Sequence, residues 1–522
     1  MANSVLIKVQ GGASCEARQG ESVLSALVRS GVFISAPCGG RGICGKCRLN
    51  LLEGTVRLTD TGAEAKAGSS FCACKAMALC DITISHDIVI SRDITISHEQ
   101  DLFDDNFIGK KLAVMPDGRK VKRAGVGVDI GTTTVQARLV CLDTGETLET
   151  FSALNKQRSF GADVMSRIEA SRNGKLKELS AVIKNQIEDI LRQFIDRWDL
   201  PCIEQCTVSG NTTMLHLFCG EDPSAMGEAP YTPVFLEERR FEGKEISLSA
   251  RNVTLLPGIS AFVGADITAG LAFLDIMNRA ENAIFIDIGT NGEIAVWNKS
   301  EKKLLCCSTA AGPCFEGAEI SCGMGAELGA INRINFKKEA ANAHLFNYGP
   351  LYYTTLGNVK AHGICGAGLI DAVAAMKKLK AVDESGALAD KYAQSGFPVT
   401  DKITVTQGDV RQFQLAKAAI YSGMKILMRK AGLYIEDIGA VYIAGGLGFY
   451  IDLDNAAEIG LIHRELKSKT AVCGNTSLLG AVKSMTDTAF LPRCREIASR
   501  AVTEELALYE DFIREFADNM ML

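Results

Sequence analysis

Apolar and polar positions change rhythm along the chain, and the changes mark its elements. SVLIKVQ (4–10) is a short apolar run ahead of Gly11 and Gly12, which predicts the first strand of a hairpin. In ESVLSALVRSGV (21–32), Val23, Leu24, Leu27 and Val28 fall at helical spacing and Gly31 stops the helix. A hexapeptide then repeats as DITISH (81–86), DIVISR (87–92) and DITISH (93–98). Its isoleucines, from Ile82 to Ile96, alternate with mainly Asp, Ser and Thr, the period of a strand. One unbroken strand of that length would run about 60 Å, far beyond the usual, so the segment is expected to break or turn.

Past residue 122 a longer pattern occurs twice. GVGVDIGTTTVQARLVCLDTGETL (125–148) is an apolar strand, a Gly/Thr turn, a second strand and a DTG hairpin turn. AIFIDIGTNGEIAVWNKSEKKLL (283–305) repeats that order, and the tetrapeptide DIGT starts at Asp129 and again at Asp287. AVYIAGGLGFYIDLDNAAEIGLI (440–462) runs an apolar strand into Gly445, Gly446 and Gly448. GDVRQFQLAKAAIYSGMKILMRKAGL (408–433) and REIASRAVTEELALYEDFIREF (495–516) predict two long amphipathic helices. VSGNTTMLHLF (208–218), FVGADITAGL (262–271), AAGPCFEGAEISCGMGA (310–326) and GICGAGLIDAVAAM (363–376) read as glycine-rich cleft loops.

Composition narrows the class. A chain of 522 residues holds two to four domains. With 47% hydrophobic and 23% charged residues it is neither disordered nor fibrous. Its net charge of −6, without a Lys/Arg tract, argues against nucleic acid or an anionic membrane as main partner. No apolar run approaches the roughly 20 residues of a membrane span. MANSVLIKVQGG lacks the pattern of a signal peptide, so a cytoplasmic location is expected. The 18 cysteines are then unsuited to a disulfide framework, and a tight cluster points to metal ligation or catalysis. Outside residues 15–80 they are scattered, as small buried packing groups are.

That cluster lies in APCGGRGICGKCRLNLLEG, where Cys38, Cys44 and Cys47 have C-x5-C-x2-C spacing. Gly39, Gly40, Gly42 and Gly45 stand between the thiols, where glycine lets backbone wrap closely and turn its N–H groups toward sulfur. Three thiolates on one loop with a distant fourth suit an iron–sulfur centre. A zinc site would show two paired knuckles, and only one C-x2-C is present here. The fourth ligand lies among Cys72, Cys74 and Cys80. CKAMALCDITI (74–84) resembles the last-ligand segment of plant-type [2Fe–2S] ferredoxins, C-x-A-x-x-x-x-D-x-T-I. The resemblance implies Cys74, leaving Cys72 and Cys80 as packing thiols or alternates.

The repeated DIGT carries its own chemistry. Gly131 and Gly289 permit tight turns, and Thr132, Thr133, Thr290 and Asn291 can meet phosphate oxygens. Asp129 and Asp287 can hold hydrated Mg²⁺, while Asp266, Glu316 and Glu319 are candidates for positioning water or metal. Gly445, Gly446 and Gly448 suit close approach by an adenosine group. No G-x-G-x-x-G follows a first strand, as a dinucleotide fold requires, and there is no P-loop. His86 and His98 read as solvated strand residues, and His216 as packed on its helix.

The two DIGT turns with the third glycine signature resemble the phosphate-1, phosphate-2 and adenosine motifs of the acetate kinase, sugar kinase, Hsp70 and actin superfamily. The implied fold is an α+β β-grasp ferredoxin domain followed by an α/β, duplicated ribonuclease-H-like (actin/Hsp70-like) ATPase domain. The expected division is 1–90 for the ferredoxin, 91–122 for a linker and 123–522 for the ATPase. The ATPase is expected to split into halves at 123–280 and 281–490, with a final helix at 495–516. Taken with GPCFEGAEI, QLAKAAI and AGGLG, the combination resembles the reductive activators of corrinoid-dependent proteins. That resemblance implies a [2Fe–2S] cluster, ATP and Mg²⁺ as cofactors. It also implies a corrinoid protein or corrinoid-dependent methyltransferase as partner, an upstream low-potential electron donor and a homodimer. The hexapeptide repeat is foreign to that family. Two other enzyme readings compete: an activator of a 2-hydroxyacyl-CoA dehydratase or benzoyl-CoA reductase, which would carry a [4Fe–4S] cluster between subunits, and a small-molecule kinase with a redox-sensing ferredoxin. A non-enzymatic assembly or binding module is the third alternative.

Overall fold

The computed structural model describes residues 5–10, 14–18, 20–30, 32, 42, 47–85, 94–96, 121–336 and 345–522. Near its start, Val5–Val9 pairs antiparallel with Ser14–Ala17 and parallel with Ile82–Ser85. Arg48–Glu53 and Ser70–Cys72 complete a five-stranded mixed sheet. The helix Val23–Arg29 begins where the Ser22 side chain accepts from the backbone N–H of Ser25, at 3.1 Å. It buries Val23, Leu24, Ala26 and Leu27 among Ile7, Leu49, Leu51, Ile82 and Ile84. This is the ferredoxin fold expected of the N-terminal domain.

The first DITISH enters that core because its alternation matches a sheet with one buried face. Ile82 and Ile84 are buried, and Asp81 Oδ1 accepts the N–H of Leu6 at 2.9 Å. The third copy goes elsewhere: Ile94–Ile96 pairs antiparallel with Thr147–Leu154 as the edge strand of the next sheet. The segment assigned as linker thus contributes a strand to the larger domain, covering backbone that an edge leaves open. Residues 86–93, with the middle copy, lie outside the described residues, as does His98.

The large domain is built twice. In its first sheet, Ala124–Ile130, Thr134–Cys141 and Thr147–Leu154 run antiparallel in turn. Ile203–Gly210 and Ala250–Leu255 extend the opposite side in parallel. Asn282–Ile288, Gly292–Asn298 and Lys303–Thr309 repeat the antiparallel set, and Ile438–Ala444 and Thr470–Gly474 repeat the parallel one. Each sheet therefore has the strand order 3-2-1-4-5 of its own elements.

The halves exchange helices. Ala265–Phe273 follows the first set of strands, yet Ile267 and Leu271 pack with Phe285, Ala295 and Trp297 of the second sheet. Thr476–Thr486 follows the second set and lies against the first sheet, where a Cβ on Gly127 would stand 2.8 Å from Val482 Cγ2. The two helices touch closely, since a Cβ on Gly480 would come 2.7 Å from the carbonyl oxygen of Ala269. This exchange sets the two DIGT turns face to face.

Three expectations change. The single helix at 495–516 is two, Phe490–Arg500 and Glu510–Asp518, because the β-branched Val502 and Thr503 pair with Leu305 and Cys306 between them. Most of the glycine-rich cleft segments form helices that start at or just after a glycine: Thr212–Cys219, Ala265–Phe273 and Gly366–Lys378. Their glycines serve packing as well as turning, for a Cβ on Gly368 would stand 2.1 Å from the carbonyl oxygen of Ile331. The second half also carries an added four-stranded sheet formed by Ala330–Asn335, Phe346–Tyr348, Leu351–Thr355 and Gly363–Ile364. The other long helix, Gln407–Lys430, forms as its periodicity predicts.

Candidate functional site

Asp129 and Asp287 occupy the same place in their halves, one residue before the end of strands Ala124–Ile130 and Asn282–Ile288. Across the hairpin Asp129 pairs with Gln136, and Asp287 with Glu293. The turns that follow meet at their hydroxyls. Thr133 Oγ1 lies 3.4 Å from Thr290 Oγ1, and both donate to Glu316 Oε2, Thr133 at 2.7 Å. One carboxylate oxygen thus ties the two halves together between the phosphate-type turns.

Side chains from several elements fix the first turn. Asn155 donates to the carbonyl oxygen of Gly131 at 2.8 Å, and Asn211 to Thr132 Oγ1 at 3.0 Å. The fully buried Arg167 donates to the Thr132 carbonyl oxygen at 2.5 Å, to that of Gly161 at 3.0 Å and to Met214 Sδ at 2.9 Å. Gly131 has no room for a side chain, since a Cβ would lie 2.7 Å from the Thr134 carbonyl oxygen. In the second turn Gly289 donates its N–H to the carbonyl oxygen of Asn291 at 3.0 Å.

Five carboxylates gather here. Asp129 accepts from Ser477 Oγ and from Asn475 Nδ2, each at 2.7 Å. Burial still pushes its pKa up, and those two donors oppose the rise. Asp266, in the first turn of Ala265–Phe273, is pushed up to about 7 by burial and then by the charge of Asp129. Asp287 is held well above the usual carboxylate range by burial, then by Asp266, Asp129 and Glu316. Burial also raises Glu293 well above its ordinary value, with Asp266 and Asp287 adding to the rise. Glu316 is raised by burial against the pull of Thr290, Thr133, Arg158 and Arg167. Glu319 is separated from this group: it is exposed, with a left-handed φ of 61°.

Such mutual repulsion calls for a cation or for bound protons. Among the described residues no three His, Cys, Asp or Glu side chains are arranged to hold a metal by themselves. The donor set instead fits Mg²⁺, which keeps several waters and is bound through one or two carboxylates with substrate phosphates.

At the third glycine signature, Gly445 has φ +92°, and a Cβ there would meet the Ile288 carbonyl oxygen at 2.5 Å and Asp287 Oδ1 at 2.6 Å. Around Gly446 no atom lies within 4 Å of such a Cβ. Gly446 and Gly448 both belong to the short 3-10 turn Gly446–Phe449. His216 is structural: buried, its Nδ1 donates to the Thr212 carbonyl oxygen at 2.7 Å while Nε2 accepts from Val234 N–H at 3.0 Å.

In the ferredoxin domain the buried Cys47 thiol lies 3.3 Å from that of Cys74, and neither is in a disulfide. The strand pairing of Arg48 with Cys72 keeps Cys72 near Cys47 as well, whereas Cys80 is exposed. Gly42, in the ligand loop, has φ +77°, and a Cβ there would sit 2.5 Å from Lys75 Cε. Two converging thiols beside backbone that admits only glycine fit a sulfur-ligated iron cluster. Cys38 and Cys44 lie outside the described residues.

Sequence reasoning missed Glu293, Arg158, Arg167, Asn475 and Ser477. A signal existed for the last two: GNTS (474–477) echoes GNTT (210–213), and in both the Asn caps a helix and reaches the first DIGT segment.

Fold and site together define an iron–sulfur ferredoxin joined to an actin-like, two-halved phosphate-binding fold. Residues 7–79 match the 2Fe-2S iron-sulfur cluster binding domain, 124–279 the RACo middle region, and 281–522 the C-terminal domain of RACo, the ASKHA domain. The corrinoid activation enzyme RamQ of Eubacterium limosum is 33% identical over 78% of this chain and 72% of its own. The [Co(II) methylated amine-specific corrinoid protein] reductase of Methanosarcina barkeri is 28% identical over 74% of each. A solved structure, a reductive activator for corrinoid, iron–sulfur protein, superposes with a TM-score of 0.69 at 27% identity, covering 99% of this chain and 98% of its own. The chain belongs to the family of reductive activators of corrinoid proteins.

Proposed function

We propose that the chain is an ATP-dependent reductive activator, which delivers one electron to the cob(II)amide of a corrinoid protein or corrinoid-dependent methyltransferase and so restores cob(I)amide. One observation carries the reading: a single chain holds both the Cys47–Cys74 thiol pair and two DIGT turns bridged by Glu316. When bound, a [2Fe–2S] cluster supplies one electron at a time, and Cys38, Cys44, Cys47 and Cys74 would hold it. The hydroxyls of Thr132, Thr133 and Thr290 and the backbone of both turns orient the phosphates of ATP, with Asn291 at the rim. Asp129 and Asp287 would hold hydrated Mg²⁺ beside them, and Asp266 and Glu316 orient the attacking water.

The need for ATP follows from magnitudes. For a one-electron step each tenfold in equilibrium corresponds to about 59 mV. A coupling of about 1–3 kcal/mol, typical between two sites, moves a potential by only roughly 40–130 mV. Cleft closure on ATP therefore acts through the complex with the partner, by favouring a cobalt coordination that accepts the electron.

Domain bounds near residues 90 and 122, with Ile94–Ile96 joined to the larger domain's sheet, an upstream low-potential donor, a homodimer and a cytoplasmic location complete the proposal. Among the described residues no helix is long and apolar enough to cross a membrane. The test mixes anaerobically reconstituted protein, reductant and a cob(II)amide-loaded corrinoid protein, with and without MgATP. Growth of the cob(I)amide absorption only with MgATP is expected. Equal reduction without nucleotide, or ATP turnover indifferent to the corrinoid partner, would contradict the coupling.

A further inference from the structure

Next to the first phosphate turn stand two arginines with different fates. Arg167 is wholly buried with its donors engaged by Gly161, Thr132 and Met214. Arg158 is half-buried, and its guanidinium has no hydrogen-bond or ion-pair partner among the described residues. Its position is nevertheless fixed. It lies in the short turn Lys156–Ser159, its N–H donating to the Asn155 carbonyl oxygen at 3.0 Å. Asn155 is bound to the DIGT turn twice, through its N–H to the Thr133 carbonyl oxygen and through Nδ2 to that of Gly131, each at 2.8 Å.

Arg158 is close enough to Arg167 for the two charges to repel, and within electrostatic reach of Glu316 and Glu327 without touching either. A half-buried cation with unused donors, beside the buried Arg167, is chemically suited to take an anion. The direction of the cleft says which part of the nucleotide that is. Gly445 and Gly446, at the adenosine end, belong to the second half, so the phosphate chain runs past Gly289–Asn291 toward Thr132 and Thr133. On that reading its far end lies at the first DIGT turn, to which Asn155 ties the segment that carries Arg158.

We propose that Arg158 binds the terminal phosphate of ATP, its guanidinium donating to phosphate oxygens at the first DIGT turn and so distinguishing ATP from ADP. This rests on the reading of the cleft as a nucleotide site. Glu316, which here takes both threonine hydroxyls, yields them to phosphate when the nucleotide enters, and Arg158 is the cation that compensates the added charge.

The test measures calorimetric binding of a non-hydrolysable Mg–ATP analogue and of MgADP to the full-length, cluster-loaded protein, unaltered and as Arg158→Ala and Arg158→Lys. Alanine is expected to weaken the ATP analogue about ten- to a hundred-fold while ADP stays within about threefold. Lysine is expected to recover part of the loss, since it keeps the charge without the fork of donors. An equal loss for both nucleotides, or no loss for either, would overturn the proposal. If alanine prevents folding, the lysine variant and Arg158→Gln decide by the same ratio. Failure of the unaltered protein to bind either nucleotide would overturn the nucleotide reading itself, and Arg158's role with it.

Discussion

The two halves of the large domain share strand order, turn sequence and the place of the key carboxylate, but surround that carboxylate differently. Asp129 receives hydrogen bonds from Asn475 and Ser477 and stands across from the neutral Gln136. Asp287 stands across from Glu293, with Asp266 and Glu316 close enough to raise its pKa further. The donors that satisfy Asp129 come from the helix lent by the second half, so each half's chemistry is partly set by the other. Duplication supplies a scaffold with two equivalent positions, and the unequal neighbours raise both carboxyls by burial but oppose the rise at Asp129 with two donors and add to it at Asp287 with nearby carboxylates.

The largest effect that could break this comparison comes from Asp129→Asn against Asp287→Asn. Both should cut ATP hydrolysis, Asp129→Asn by at least about a hundredfold as the carboxylate available to a cation is lost. Their melting temperatures without nucleotide should move in opposite directions. Asp129→Asn spoils a satisfied carboxylate, whereas Asp287→Asn relieves repulsion. Shifts of the same sign would show the two sites to be equivalent.

A smaller loss is expected from Ser477→Ala, which removes one hydrogen bond to a charged group worth about 1.5–3 kcal/mol. ATP hydrolysis should fall about tenfold or more, and an infrared titration should place the Asp129 carboxyl higher than in the parent. Gly445→Ala should cost about 1–3 kcal/mol in denaturant unfolding, because its φ of +92° and the carbonyl of Ile288 leave no place for a Cβ. Gly446→Ala, with open space around it, should stay within about 0.5 kcal/mol.

The added sheet of the second half has no counterpart in the first, and pH probes how it is tied down. Asp371 accepts from the Ile334 N–H at 2.9 Å and from Asn455 Nδ2 at 2.7 Å, and burial raises it to about 6. The folded state then holds its proton more tightly than the unfolded chain, whose carboxyl titrates near about 3.9. Stability contributed below pH 4 is therefore lost as pH rises toward 6. Relative to Asp371→Asn, the parent should lose up to about 1.4 kcal/mol per pH unit across that window, read from melting curves.

Local signals proved legible and distant ones did not. DIGT at 129 and 287, the alternation of 82–85 and the helix at 407–430 each depend on neighbours in sequence, where periodicity and turn chemistry act. The resemblance to ferredoxins points to Cys74, whose thiol lies 3.3 Å from that of Cys47. Asn475 and Ser477 reach Asp129 across 346 and 348 residues through the exchanged helix, which no local pattern encodes. Arg158 and Arg167 sit in an ordinary polar stretch, and Glu293 looks like any polar residue of an alternating strand until the sheet places it against Asp287. The final segment misled because its amphipathic period continues across Val502–Thr503, where strand pairing prevails over helix.

The central claim is that nucleotide held between the two turns gates the electron. The most direct measurement follows cob(I)amide formation in a corrinoid protein by Asp129→Asn with an intact [2Fe–2S] spectrum, excess reductant and MgATP. The account predicts a rate no higher than that of the unaltered protein without nucleotide. Reduction at the unaltered protein's full MgATP-dependent rate would contradict it.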